Sequence, residues 1–199
     1  MKQDLLRNAL LAVAASVVTL GTVFAAPPVE SVGQVDLQRY SGTWYALARR
    51  PNRFQEHCEG DVTASYQPLK DGSIEVLNRC RQKNDKWEES HGRAVKASGS
   101  DSGAKLKVSF LPNWLRWVPM GRGDYWVVML DPDYRFAVVS EPSREYLWVL
   151  SRTPTLDAAE YDGIIGSLRT QGYPVDRLVR TPQTPPAAAA AAATPRRMI

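Results

Sequence analysis

The sequence predicts an all-β fold: an eight-stranded, up-and-down antiparallel β-barrel with one C-terminal α-helix packed on its outside. Two observations carry this. Between Gly42 and Thr153 the chain breaks into eight apolar runs of roughly five to ten residues, separated by turn residues and free of any intervening helical period. After Thr153 a single amphipathic helical stripe follows, and only the outer wall of a barrel is left to cover it. A two-sheet sandwich is the other architecture this pattern permits. Eight successive strands with short connections favour the closed barrel.

Both ends fall outside the domain. Lys2 and Arg7 precede an apolar run from Ala9 to Phe24, and small residues stand at Val23, Ala25 and Ala26. A charged start, a short greasy middle and a small-residue close are the layout of a secretory signal peptide, here residues 1–25. A retained membrane anchor is the competing reading, since the run is barely long enough to span a bilayer. The junction carries no cysteine of the kind that takes the lipid of a bacterial lipoprotein. Residues 182–199 are Pro/Ala-rich with seven consecutive alanines, a composition that predicts a disordered tail. Residues 31–181 remain as one domain, long enough for a substantial core.

Within that domain the strands are expected at 42–49, 61–68, 74–81, 87–97, 105–110, 124–130, 136–140 and 146–151. Lys70-Asp71-Gly72-Ser73 forms the hairpin turn between the second and third, because Asp-Gly readily takes the positive φ angles such turns need. Along the last strand Tyr146, Trp148 and Leu150 share parity with Arg152, while Leu147, Val149 and Ser151 face the helix. On the sixth strand either Tyr125, Val127 and Met129 or Trp126, Val128 and Leu130 face inward. Both sets are apolar, so the pattern leaves the parity open. Asp157 is placed to cap the helix with Glu160 reaching back, and Leu156 and Tyr161 form a hydrophobic staple. Tyr161, Ile164, Ile165 and Leu168 make the buried stripe, which Gly172 ends.

In an up-and-down barrel the start of the first strand, the loop after the sixth and the end of the eighth share one end. Gly42, Trp44, Asp131, Tyr134 and Arg152 therefore gather there. The opposite end receives residues 111–123, which carry Trp114, Arg116, Trp117 and Arg122. A loop this apolar marks contact with a ligand, a membrane or a partner protein, or a lid folded over the cavity.

Cys58 and Cys80 are the two cysteines. In an exported protein they are expected to pair, with two buried free thiols as the alternative. The hairpin register sets Cys80 near Val62, so pairing needs a bulge or a curled loop. The net charge of +4 is scattered and accompanies no nucleic-acid motif. His57 and His91 are the only histidines, and no metal site or cofactor is expected. No phosphate loop or serine elbow occurs, which argues against an enzyme; a Cys58 nucleophile would need an unpaired thiol.

Gly42-Thr43-Trp44-Tyr45, Asp131-Pro132-Asp133-Tyr134 and Ser151-Arg152-Thr153, in that order, resemble the three conserved blocks of the lipocalins. Val62-Thr63-Ala64-Ser65-Tyr66, Leu147-Trp148-Val149-Leu150 with the residues after it, and Gly172-Tyr173 resemble the bacterial branch related to apolipoprotein D. The similarity runs over roughly 35–180. It implies that Trp44 plugs one end under Arg152, with Tyr125 and Trp148 inside the barrel. It also implies transport or storage of a small hydrophobic ligand, a fatty acid or lysophospholipid, whose head would lie near Arg53, Arg116 or Arg122. Tyr125, Tyr146, Trp148, Trp114, Trp117 and Arg116 are the expected ligand contacts. Loop 111–123 is the expected peripheral membrane contact, and the expected location is the periplasm, with secretion or outer-membrane association as alternatives. An enzyme using Cys58 and a protein-binding scaffold using loop 111–123 are the competing functions.

Overall fold

The computed structural model describes residues 26–115 and 121–184. The expected leader, residues 116–120 and residues 185–199 lie outside the described residues.

A one-turn helix, α1 (Leu37–Tyr40), begins the domain. Asp36 caps it by accepting from the backbone N–H groups of Gln38 and Arg39. The strands follow as β1 (Gly42–Arg49), β2 (Gly60–Pro68), β3 (Ile74–Arg81), β4 (Trp87–Lys96), β5 (Lys105–Ser109), β6 (Gly123–Leu130), β7 (Phe136–Ser140) and β8 (Leu147–Ser151). Helix α2 (Ala158–Thr170) and a short β9 (Val179–Arg180) complete the chain order. Each of the eight barrel strands lies within one residue of its expected bounds. They pair antiparallel in sequence order, and β1 pairs with both β8 and β2, so the sheet closes and the sandwich alternative falls.

Three local devices shape the barrel. The β2–β3 turn bonds Gly72 N–H back to Leu69 O at 3.0 Å and places Gly72 at φ +79, a type I turn with a glycine bulge rather than two successive positive φ values. In β6 a bulge between Val127 and Met129 switches the parity. Tyr125, Val127 and Leu130 therefore pack inside, while Trp126, Val128 and Met129 pack toward α2. Neither alternating set expected for this strand holds along its whole length. A second bulge in β1, between Ala46 and Ala48, has the same effect.

Helix α2 covers the outer cluster with Tyr161, Ile164 and Leu168 buried and Ile165 partly so. Asp157 caps it, but Glu160 does not reach back to close a capping box. Its carboxylate takes Arg135 at 3.0 Å instead, because the β6–β7 loop brings that guanidinium against the first turn. At the other end Tyr173 N–H bonds Leu168 O and Gly172 N–H bonds Arg169 O, both at 3.0 Å, a Schellman cap.

Beyond Tyr45 and Thr63 strands β1 and β2 diverge, and the C-terminal segment closes the seam. Thr181 N–H donates to Leu47 O at 2.9 Å, and Gln183 Nε2 donates to Ala46 O and Val62 O at 2.9 and 3.1 Å. Thr184 donates through its N–H and hydroxyl to Asp61. Contacts with the barrel thus extend past the expected boundary at Thr181 to Thr184.

Asp61 holds this seam. Burial raises its pKa, but Arg81 Nε at 2.7 Å and the Thr184 donors outweigh that, leaving the carboxyl below its ordinary range. Its stabilisation is present above the unfolded value of about 3.9 and is lost as pH falls through the folded value. Asp61→Asn, which tolerates the positive φ here, is expected to cost about 1–3 kcal/mol at pH 7. Thermal melts from neutral to strongly acidic pH check this: the gap from wild type closes as pH falls.

Candidate functional site

One end of the barrel is shut by an indole. Trp44 is 0 % exposed and donates from Nε1 to Tyr40 O at 2.8 Å. Arg152 lies over its ring, Cζ 3.9 Å from the centroid, and is fixed by bonds to Thr43 O at 3.1 Å and Arg39 O at 2.7 Å. Gly42 has φ +88, a left-handed backbone that favours glycine, while a Cβ there would only touch Arg152 Nη1 at 3.4 Å.

Asp131 accepts from the N–H groups of Asp133 and Arg135 and from the Arg135 side chain. Burial pushes its pKa up, but Arg135 and those donors bring it below the ordinary carboxylate range. Tyr134, at φ +59, accepts from Asp36 N–H at 2.9 Å and lies under Arg39. Helix α1 is thereby tied across this end. Gly42, Trp44, Asp131, Tyr134 and Arg152 thus sit together.

Above the indole the walls are apolar: Ala46, Ala64, Val76, Leu106, Val127, Val139 and Leu150 face inward. Three phenols interrupt them. Tyr40 and Tyr125 hydroxyls lie 2.8 Å apart, and Tyr125 donates to Tyr66 at 2.9 Å. Burial raises Tyr40 and Tyr125 well above the ordinary phenol value and pushes Tyr66 up to about 12, so the chain of hydroxyls is neutral and can donate. Tyr66 closes the Val62–Tyr66 segment that resembles the apolipoprotein D branch, but nothing in that segment points to a hydroxyl chain, and no motif singles out Tyr40.

The opposite end is built around a disulfide. Cys58 and Cys80 are bonded with Cα atoms 5.6 Å apart. The bulge between Gly60 and Thr63, with Asp61 at φ +52, is what brings Cys58 to Cys80. His57 lies beside the pair, its Nε2 2.9 Å from Glu88 Oε2, and the His57, Cys58 and Cys80 donor atoms fall within 4.8 Å of one another. Both sulfurs are spent on each other, so this cluster offers no thiolate to a metal or a substrate.

Trp148 stacks on Tyr146 and donates from Nε1 to Gln55 Oε1 at 2.8 Å. Phe54 continues that aromatic row. Trp114 is 73 % exposed in the β5–β6 connection, and Phe54, Trp87 and Phe110 are also exposed around the same mouth. Arg116 and Trp117 lie outside the described residues. A recess of about 850 Å³ lined by Lys105, Lys107, Arg122 and Trp126 lies on the outer wall and is separate from the barrel interior.

Residues 35–183 match the family model described as a lipocalin-like domain. The chain is a lipocalin. It is 41 % identical over 161 residues to temperature-induced lipocalin-1 of Arabidopsis thaliana, covering 79 % of this chain and 86 % of that one. It is 36 % identical over 156 residues to the outer membrane lipoprotein Blc of Escherichia coli, covering 77 % and 83 %. Insecticyanin of the tobacco hornworm Manduca sexta shares the fold with a TM-score of 0.61 at 17 % identity, covering 82 % and 88 %. The lipocalin falls in the branch of the bacterial lipoproteins and apolipoprotein D. Binding and transport of a small hydrophobic ligand is the function this membership supports.

Proposed function

We propose that this lipocalin carries one amphiphilic lipid, a fatty acid or lysophospholipid, through a bacterial cell envelope, with the acyl chain inside the barrel. The observation that carries this reading is the polarity of the barrel: an indole-plugged floor, apolar walls and an aromatic mouth. Tyr125 and Trp148 would contact the chain, with Tyr146 and Trp114 at its point of entry. The periplasm is the proposed compartment, supported by the disulfide and by relatives named as outer membrane lipoproteins.

Native mass spectrometry of the protein purified from an envelope fraction tests the reading. One acyl lipid per chain is the expected result. A barrel that is empty and also refuses added fatty acid and lysophospholipid overturns it.

The mouth would meet the bilayer through Phe54, Trp87 and Trp114, with Arg53 and Arg79 laid on the first two rings and suited to anionic headgroups. Replacing the three aromatics by serine is expected to reduce partitioning onto anionic vesicles several-fold, read by sedimentation, while the melting temperature stays near wild type.

A further inference from the structure

Simple alternation from Trp44 would point Arg49 away from the barrel interior. The bulge between Ala46 and Ala48 reverses this and pairs Arg49 with Trp148, an inward-facing residue. Arg49 is only 9 % exposed. Its Nη2 donates to Gln55 O at 2.9 Å, its Nε finds no partner, and no carboxylate is paired with it among the described residues. Arg81 and Arg135, by contrast, each meet a buried aspartate. Burial lowers the Arg49 pKa, yet a guanidinium stays charged. A buried, uncompensated charge is costly and leaves a strong demand for an anion. Gln55 also accepts from Trp148 on its side-chain Oε1, so one residue, through its backbone carbonyl and its side chain, fixes both neighbours and holds the guanidinium in place.

We propose that Arg49 is the anion anchor of the ligand cavity, receiving the carboxylate or phosphate of the bound amphiphile on its free Nε–H. The assignment rests on the carrier reading above and moves the headgroup inside the mouth, away from the rim arginines Arg53 and Arg122.

The test is calorimetric titration of the full protein with oleate, oleyl alcohol and oleoyl-lysophosphatidylcholine, using wild type, Arg49→Gln and Arg49→Lys. Wild type is expected to prefer oleate to the alcohol. Arg49→Gln should weaken oleate by about 10- to 100-fold while leaving the alcohol within about twofold, with Arg49→Lys between. A loss confined to the lysophospholipid also supports the anchor and identifies phosphate as the anion. Equal loss for all three compounds makes Arg49 a packing residue and overturns the anchor, as does no loss for any. Wild type that binds acid and alcohol alike, with no loss of lysophospholipid binding in Arg49→Gln, removes the anchor and leaves the carrier intact. Wild type that binds none of the three removes both.

Discussion

Trp44→Ala is expected to lower the melting temperature by roughly 6–20 °C. The indole is wholly buried, packs on Tyr40 with centroids 4.8 Å apart and supports Arg152 from below. Truncation removes about 3–5 kcal/mol of burial and packing, and a domain of this size shifts by about 2–4 °C per kcal/mol.

The neighbouring changes separate the contributions. Arg152→Ala removes a cation–π contact of about 0.5–2 kcal/mol together with two bonds to backbone carbonyls. It should therefore melt above Trp44→Ala. Trp44→Phe keeps a ring on the floor, leaves Tyr40 O without its donor, and should recover more than half of the loss. Thermal unfolding by circular dichroism ranks the three. An Arg152→Ala variant less stable than Trp44→Ala would mean that the guanidinium, not the indole, holds this end shut.

The strands were legible because turn chemistry and period-two alternation are local, and both survive in the closed barrel. What alternation cannot report is a bulge. In β6 it runs true through Val127 and then inverts, and both alternating sets are apolar because one face lines the barrel and the other meets α2. In β1 the same inversion moves Arg49 from the outer face to the inner one, so the most chemically pointed residue of the mouth was invisible to the pattern.

The seam was hidden for a different reason. Gln183 acts through its side-chain amide on two backbone carbonyls and Thr184 through its hydroxyl on the Asp61 carboxylate, all far away in sequence, and a Pro/Ala-rich context gives no local sign of it. At Glu160 the sequence offers only a local partner, the cap backbone, whereas the competing partner, Arg135, is supplied by tertiary structure alone. The closed-end residues were legible as a set because three short motifs, spaced along the chain, converge where the topology brings strand ends together.

Opening the disulfide is expected to cost about 3 kcal/mol, or roughly 6–12 °C of melting temperature. Cys58 and Cys80 are 22 residues apart, and the bond keeps the unfolded chain from sampling the full freedom of that loop. The folded state loses less, since Cys80 is buried in the interior cluster and Asp61, Arg81 and Thr184 still tie the adjoining seam.

A double Cys58→Ala, Cys80→Ala variant should therefore remain a folded barrel of lower stability. Reductant should shift wild type toward the double variant and leave the variant unmoved. The bond also anchors the end of the loop that carries Gln55 and His57, so ligand should leave the reduced protein faster while the floor around Trp44 keeps its protection from hydrogen exchange. A wild-type protein with two titratable thiols and a melting temperature indifferent to reductant would refute the pairing. Faster release without loss of floor protection would place the flexible part of this lipocalin at its mouth, where a carrier must open.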